Sequence, residues 1–316
     1  MNPFKLLSNI QTNQTLILSG ILSIGVIWYG LDITVFEILL TFSTVIVLDL
    51  LLHAYRTGKW VFPYSGVNAG FGISFFLRSD DAIIYVLAGA LAIFGKHFFL
   101  VAGKHFLNPS NMAVFLTLML FPGYTWVNTL QWGNYTGQLS TSYIILLVCV
   151  FLLGLFMCLR VFQIFGFRSV YDYILPFLLA HGIAFFTIAS GENMTTAAVF
   201  FSISFFIFTF FMITDPKTIP KTSLFRSVYA IGLVVNFYIL QFFMNENYAL
   251  LGSLFMGTLL LPVIWKLEAI KSRSIQRKCL ILYLSVLLCL LAFLVFAFGR
   301  PDLAFDNICN QRVCLK

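Results

Sequence analysis

Charged side chains are scarce in this sequence: they make up 10% of its 316 residues, whereas 60% are hydrophobic. About a quarter of the residues of an average soluble domain are charged, so a soluble fold of this composition could not cover its own surface. The mean hydropathy is +0.95, and apolar runs recur that match the roughly 20 residues needed to cross a bilayer core. The scarcity of charge therefore excludes a soluble protein and predicts one embedded in lipid.

Sequence motifs for soluble catalysis are also missing. There is no Walker loop, dinucleotide fingerprint, His-Glu-x-x-His motif or convincing Ser/His/Asp pattern, and the six cysteines show no metal-binding spacing. The basic residues lie in short clusters between apolar runs, which is typical of membrane topology rather than of nucleic-acid binding. We therefore expect no metal site, no nucleic-acid partner and no soluble-enzyme chemistry carried by this chain alone.

The apolar runs are continuous, which favours helices over the alternating strands of a β-barrel. Lipid offers the backbone no hydrogen-bond partners, so only helices and closed barrels span a bilayer. The predicted fold class is an all-α polytopic membrane protein whose main partner is the lipid bilayer. Eleven spans are predicted, at about 15–31, 34–54, 65–77, 82–100, 111–127, 142–160, 173–190, 195–213, 226–244, 248–266 and 279–298.

The distribution of Lys and Arg predicts the orientation of these spans. The loop 266–278 is the most basic, and the positive-inside rule places it in the cytoplasm. Alternate loops counted back from it hold most of the other basic residues. This pattern predicts a protein of the inner cell membrane with a cytoplasmic segment at 1–14 and an extracytoplasmic tail at 299–316. In that tail, Cys309 and Cys314 either form a disulfide or remain unpaired thiols.

Ten helices remain when the additional span at 279–298 is set aside, and they divide into two halves of five, 15–131 and 139–268. A repeated unit with an odd number of spans inserts upside down relative to the first. Inverted repeats of this kind hold a ligand site or pathway at their interface. Residues 71–76 and 201–206 agree at five of six positions, which indicates either such a repeat or chance similarity in a Phe-rich chain.

Two connecting segments hold polar candidates for a site. In the first, Pro109 interrupts helical geometry, and either Ser110 or Asn108 can cap the helix that follows. Lys104, close by, is placed to bind either a phosphate group or anionic lipid. In the second, Asp215 either caps a turn or faces a cavity between the halves. The 37 Phe are either lipid-facing bulk or a stacking surface for a planar ligand.

Three segments together resemble the RnfD/NqrB family, the integral membrane subunits of ion-translocating, flavin-containing oxidoreductase complexes. Residues 65–74 resemble an early Gly-rich helix of that family, and 103–110 are similar to its G-x-N-x-F-N-P-A motif. Residues 210–218 are close to its F-F-M-A-T-D-P-V-T motif. The segments occur in the family's order, and the resemblance, which covers about 15–268, is that of a divergent stand-alone RnfD-like protein.

The resemblance implies ten helices in two inverted halves and a bound flavin, either riboflavin or FMN. The loop around Thr136 lacks the family's S-G-A-T attachment motif, so covalent attachment is not expected. A flavin pocket is expected between the third and eighth helices. The candidate cofactor-binding residues are Asn68, Gly70, Ser74, Lys104, Asn108, Thr214 and Asp215.

Three functions are consistent with these features. The first is electron transport through a bound flavin, either with or without coupling to ion translocation. The electrons would be exchanged with redox protein partners. The second is a small-solute or ion transporter or channel on the same scaffold, which the missing attachment motif favours. The third is a membrane anchor for an extracytoplasmic protein partner, for which the additional helix and the tail would serve. No catalytic residue is predicted.

Overall fold

A computed structural model describes residues 10–127, 141–164, 172–188 and 202–270. These ranges are mostly helical, in agreement with the predicted all-α membrane class. The span 279–298, the tail, Thr136 and four of the cysteines lie outside them. The first part contains α1 (Ile10–Trp28), α2 (Val35–Thr57), α3 (Tyr64–Phe76), β1 (Arg78–Ser79), α4 (Ala82–Phe98), β2 (Leu100–Val101), β3 (Lys104–His105), α5 (Pro109–Leu120) and β4 (Thr125–Trp126).

The second part begins after the loop 128–140. It contains α6 (Thr141–Ile164), α7 (Ile174–Ile188), α8 (Ile203–Ile207), α9 (Ser223–Leu240), α10 (Glu246–Leu259) and α11 (Leu261–Glu268). A π-helix, Phe208–Met212, continues α8 without a break. Within the described ranges, five helices are long and apolar enough to cross a membrane: α1, α2, most of α6, α9, and α10 together with α11.

Some helices are shorter than the predicted spans. The fifth span was expected over 111–127, but α5 ends at Leu120, because Pro122 and Gly123 form a turn that leads into β4. At 1.5 Å per residue, the 12 residues of α5 and the 13 of α3 reach only about 20 Å. Both therefore end inside a bilayer core of about 30 Å. The first helix, in contrast, begins at Ile10, earlier than the predicted 15.

The surface of α2 illustrates why these helices belong in lipid. Its buried residues, Thr41, Val45 and Asp49, form a narrow stripe at four-residue spacing. Many of its other residues are apolar yet exposed, including Val35, Leu39, Val47 and Leu51. A large exposed apolar surface marks contact with a membrane or a partner. Glu37 lies outside this surface, because it caps the helix reciprocally with Thr34.

The helices pack in a regular pattern. In the first half α1 packs on α3, α2 on α3 and α4, and α5 on α3 and α4. In the second half α6 packs on α8 and its π-helix, and α9 packs on α7 and α10. Contacts between the halves join α1 to α6 and α5 to α10. β1 and β4 pair antiparallel, with Arg78 opposite Trp126, and join the ends of α3 and α5.

Candidate functional site

A cavity of about 410 Å³ lies where the ends of five helices meet. The beginnings of α1, α3 and α5 form one side, and the end of α6 together with the π-helix and the loop after it forms the other. Both halves of the chain therefore contribute to its wall. The polar side chains that line it include Gln11, Gln14, Asn68, His105, Asn108 and Asp215.

The structure brings four of the seven predicted site residues together around this cavity: Asn68, Asn108, Thr214 and Asp215. The other three lie elsewhere. Gly70 packs against α2, where an added Cβ would lie 3.2 Å from the ring of Phe42. Ser74 is fully buried farther along α3. Lys104 is exposed at the surface.

The Asn68 side chain joins α3 to the first turns of α1. Its Nδ2 donates to Oε1 of Gln14 at 3.1 Å, and its Oδ1 accepts from Oγ1 of Thr15 at 2.8 Å. The sequence predicts a cytoplasmic segment at 1–14 and does not identify Gln11 and Gln14 as cavity residues. Their spacing of three was the available signal, because residues i and i+3 share a helix face.

The Asn108 side chain connects the two halves. As the N-cap of α5 it accepts from the backbone N of Asn111 at 3.0 Å, so Asn108 rather than Ser110 is the cap of the two that the sequence offers. Its Nδ2 also donates to the carbonyl oxygen of Met212 at 2.9 Å. Met212 ends the π-helix, and carbonyl groups in the last turn of a helix lack intrahelical partners. Asn108 thus completes one helix end in each half.

The segment after the π-helix supplies the remaining wall. Thr214 donates from Oγ1 to the carbonyl of Phe210 at 2.6 Å, which ties the turn after the π-helix back to the helix. Asp215 caps a turn, since its Oδ1 accepts from the backbone N of Lys217 at 3.1 Å. It also lines the cavity, so both alternatives considered for Asp215 are realised. Cys158 lines the cavity as well.

His105 and Lys104 are neighbours in β3 with opposite environments. Successive residues of a strand face opposite sides, so Lys104 is exposed whereas His105 is buried and lines the cavity. Nδ1 of His105 lies 3.1 Å from the carbonyl oxygen of Leu107. Burial lowers the pKa of His105, an effect that the Asp215 carboxylate partly opposes. The residue therefore contributes a neutral imidazole to the wall of the cavity.

A buried charge cluster fixes the helix ends beneath the cavity. Nζ of Lys96 lies 2.5 Å from Oδ2 of Asp49, and Nε2 of His97 lies 2.7 Å from Oδ1 of the same carboxylate. Gly66 in the first turn of α3 rests on Asp49, because an added Cβ would lie 2.6 Å from Oδ2. The cluster, Asp49 with Lys96 and His97, therefore holds the ends of α2 and α4 against the beginning of α3.

The cavity offers two kinds of surface. Carboxamides supply both hydrogen-bond donors and acceptors, while Met157, Phe210 and Phe211 supply an apolar wall. Among the described residues, no group of three or more His, Cys, Asp or Glu side chains is arranged to hold a metal ion. This chemistry suits an organic molecule with an apolar face and one polar edge. No protein-family model and no curated protein matches the sequence.

Proposed function

We propose that this protein is an electron-transfer subunit similar to the RnfD/NqrB family, and that it holds riboflavin or FMN in the cavity. One observation carries the proposal. The three segments that resemble the family, 65–74, 103–110 and 210–218, are far apart in sequence, yet each contributes residues to this single cavity. Segments under a common functional constraint are expected to meet in this way, whereas unrelated similarities are not.

The chemistry of a flavin matches the two surfaces of the cavity. A flavin ring is planar, with an apolar benzenoid end and a polar edge of carbonyl oxygens and one N–H. Phe210, Phe211 and Met157 suit the flat apolar part, and the amides of Asn68 and Asn108 suit the polar edge. The volume of about 410 Å³ lies within the range of small-molecule sites. The flavin would carry the electrons, and the protein would position it and tune its potential.

The proposal includes an inverted repeat of five helices. If α1 to α5 correspond to α6 to α10, the packing pairs α1–α3, α2–α4 and α4–α5 correspond to α6–α8, α7–α9 and α9–α10, and all six occur. The pairs α1–α6 and α5–α10 then join equivalent helices, as contacts across a pseudo-twofold axis do. A cavity formed by both halves is where such repeats bind their ligands.

We place the cavity at the cytoplasmic side of the inner membrane. Lys217 lies at the cavity, and Lys96, Lys104 and Lys221 belong to the same end of the helices, which the positive-inside rule assigns to the cytoplasm. A redox partner would deliver electrons at this side. Coupling to ion translocation follows from the family resemblance.

The decisive experiment is a binding titration on the full chain purified in detergent. An absorption spectrum and mass spectrometry of an extract identify any flavin that copurifies, and fluorescence quenching measures the affinity for added riboflavin and FMN. Ser65 lines the cavity, so Ser65→Trp is expected to abolish binding by filling the space. Ser43 is exposed on α2, and Ser43→Trp is the matched control that retains binding. Folded protein without flavin affinity refutes the assignment.

A transporter is the second candidate, supported by the two short helices. α3 and α5 end in the paired strands β1 and β4, where Arg78 is buried. Interrupted helices at membrane depth line pathways in many transporters. Solute uptake into proteoliposomes without an electron donor, combined with no flavin binding, would favour this function. The anchor hypothesis depends on 279–316, which lie outside the described residues.

A further inference from the structure

We propose that His105 accepts a hydrogen bond from the imide N–H of the flavin ring through its Nε2 atom. His105 thereby selects ligands that present a donor at this position. This inference rests on the proposed function, since it assumes that a flavin occupies the cavity, but it assigns a role that neither the family-like motifs nor the fold specifies.

The backbone near His105 fixes the tautomer of its ring. A carbonyl oxygen can only accept, so the contact of 3.1 Å between Nδ1 of His105 and the oxygen of Leu107 requires the proton to be on Nδ1. In a neutral imidazole the other nitrogen then carries a lone pair and is an acceptor. Leu107 follows two residues later in the chain, so the local backbone sets the role of Nε2.

The lone pair on Nε2 of His105 lacks a hydrogen-bond donor among the described residues. His105 is 5% exposed, and Nε2 is buried without a hydrogen-bond partner among the described residues. A buried polar atom without a partner is costly and rare in folded proteins. Because His105 is among the residues that line the cavity, a bound molecule that reaches Nε2 would supply the missing donor.

A flavin offers a donor of the kind that Nε2 of His105 requires. The polar edge of a flavin presents one N–H, at N3, between two carbonyl oxygens. An acceptor in the protein pairs with the N–H, and donors pair with the oxygens. Asn68 and Asn108 are such donors, since a carboxamide has two N–H bonds and the contacts to Gln14 and Met212 use one on each side chain.

Protonation reverses this role. In the imidazolium both nitrogens are donors, so Nε2–H would face the ligand N–H. The groups that influence the titration are Asp215 and Lys217 after the π-helix and Lys96 at the end of α4. Since burial lowers the pKa of His105, the acceptor form is present at neutral pH. The pairing is lost as the pH falls through the pKa of the folded protein.

The test compares riboflavin with 3-methylriboflavin, in which a methyl group replaces the N3 hydrogen. We expect the full-length wild-type protein to bind riboflavin about tenfold more tightly than the methylated analogue, as for the loss of one buried hydrogen bond. His105→Phe removes the acceptor and should lower this ratio to about 1. His105→Gln keeps an acceptor oxygen and should restore most of the preference.

His53 provides the matched control. It lies at the end of α2 and is not among the residues that line the cavity, so His53→Phe should keep the tenfold ratio. At acidic pH the ratio should fall toward 1 in the wild type but not in His105→Gln. This difference separates His105 from Asp215, which both proteins retain. A thermal melt of each variant in the same detergent verifies folding.

The outcomes separate the two proposals. If riboflavin does not bind to folded wild-type protein, the flavin function itself is wrong. If riboflavin and 3-methylriboflavin bind equally well to the wild type, a flavin is bound but His105 does not contact its N–H. The inference is also overturned if His105→Phe keeps the wild-type ratio, because another residue must then accept the hydrogen bond.

Discussion

Asp49 is buried, at 2% exposure, and both of its carboxylate oxygens are within hydrogen-bonding distance of cationic or ring nitrogens. Removing one member of a buried ion pair leaves a charge without compensation, which costs more than the intact pair contributes. We therefore expect Lys96→Met to lower the free energy of unfolding by about 3 kcal/mol. Unfolding in mixed micelles with increasing SDS measures this quantity.

The control for this substitution is Lys59→Met, because Lys59 is exposed in the segment between α2 and α3. It should leave the unfolding midpoint unchanged. The double variant Asp49→Leu/Lys96→Met removes both charges and should be more stable than Lys96→Met alone. Equal stability of the two would contradict the prediction that an unpaired Asp49 carboxylate causes the loss in Lys96→Met.

For some residues, the sequence predicts only one of the roles that the structure shows. The capping of α5 is a local interaction, and the neighbouring Pro109 is enough to predict that either Asn108 or Ser110 supplies it. The hydrogen bond from Asn108 to Met212 joins residues 104 positions apart, so no local pattern contains it. The burial of His105 also depends on which side of a short hairpin faces the protein, and hydropathy does not determine that side.

At the scale of helices, close packing of α3 depends on Gly72. A Cβ on this residue would lie 2.5 Å from Oγ of Ser110 on α5 and 3.0 Å from Cε of Met212 on the π-helix. Gly72→Ala should therefore lower the free energy of unfolding by about 1–3 kcal/mol, as overpacking does. It should also weaken riboflavin binding, because Ser110 lines the cavity. Thermal unfolding in detergent measures the first effect.

Gly232→Ala is the matched control for Gly72→Ala. Gly232 lies inside α9, and an added Cβ would meet nothing within 4 Å. Alanine is the better helix former by about 0.5–1 kcal/mol, so this variant should be as stable as the wild type or slightly more so. If both glycine variants lose stability equally, close contact at Gly72 is not the cause.

The ends of the helices were harder to predict than their existence. Hydropathy predicts a helix at each of the positions of α1 to α10, because a long apolar run in lipid has few alternatives to a helix. It extended the fifth span through Pro122 and Gly123, since a proline and a glycine barely lower the mean hydropathy of a long window. The turn residues themselves carried the information that the helix ends before them.

For the whole molecule, the two ends of the helix bundle differ in charge. The strands β1 and β4 join the loops at one end, which carries the acidic residues Asp32, Asp80, Asp81 and Glu246. The other end holds the cavity and the lysines Lys59, Lys96, Lys104, Lys217, Lys221 and Lys266. Glu268, one of the acidic residues at this end, accepts from the backbone N of Lys221 at 2.8 Å. It thereby ties the end of α11 to the beginning of α9.

This asymmetry predicts the labelling pattern of single cysteines in a variant whose six native cysteines are replaced by serine. A membrane-impermeant maleimide applied to intact cells should modify Asp81→Cys, whereas Lys221→Cys and Lys266→Cys should react only after permeabilisation. Reversed labelling of all three positions would invert the orientation but preserve the fold. Labelling of Lys221→Cys and Lys266→Cys from opposite sides would contradict the fold itself, because the hydrogen bond between Lys221 and Glu268 requires both loops at one end.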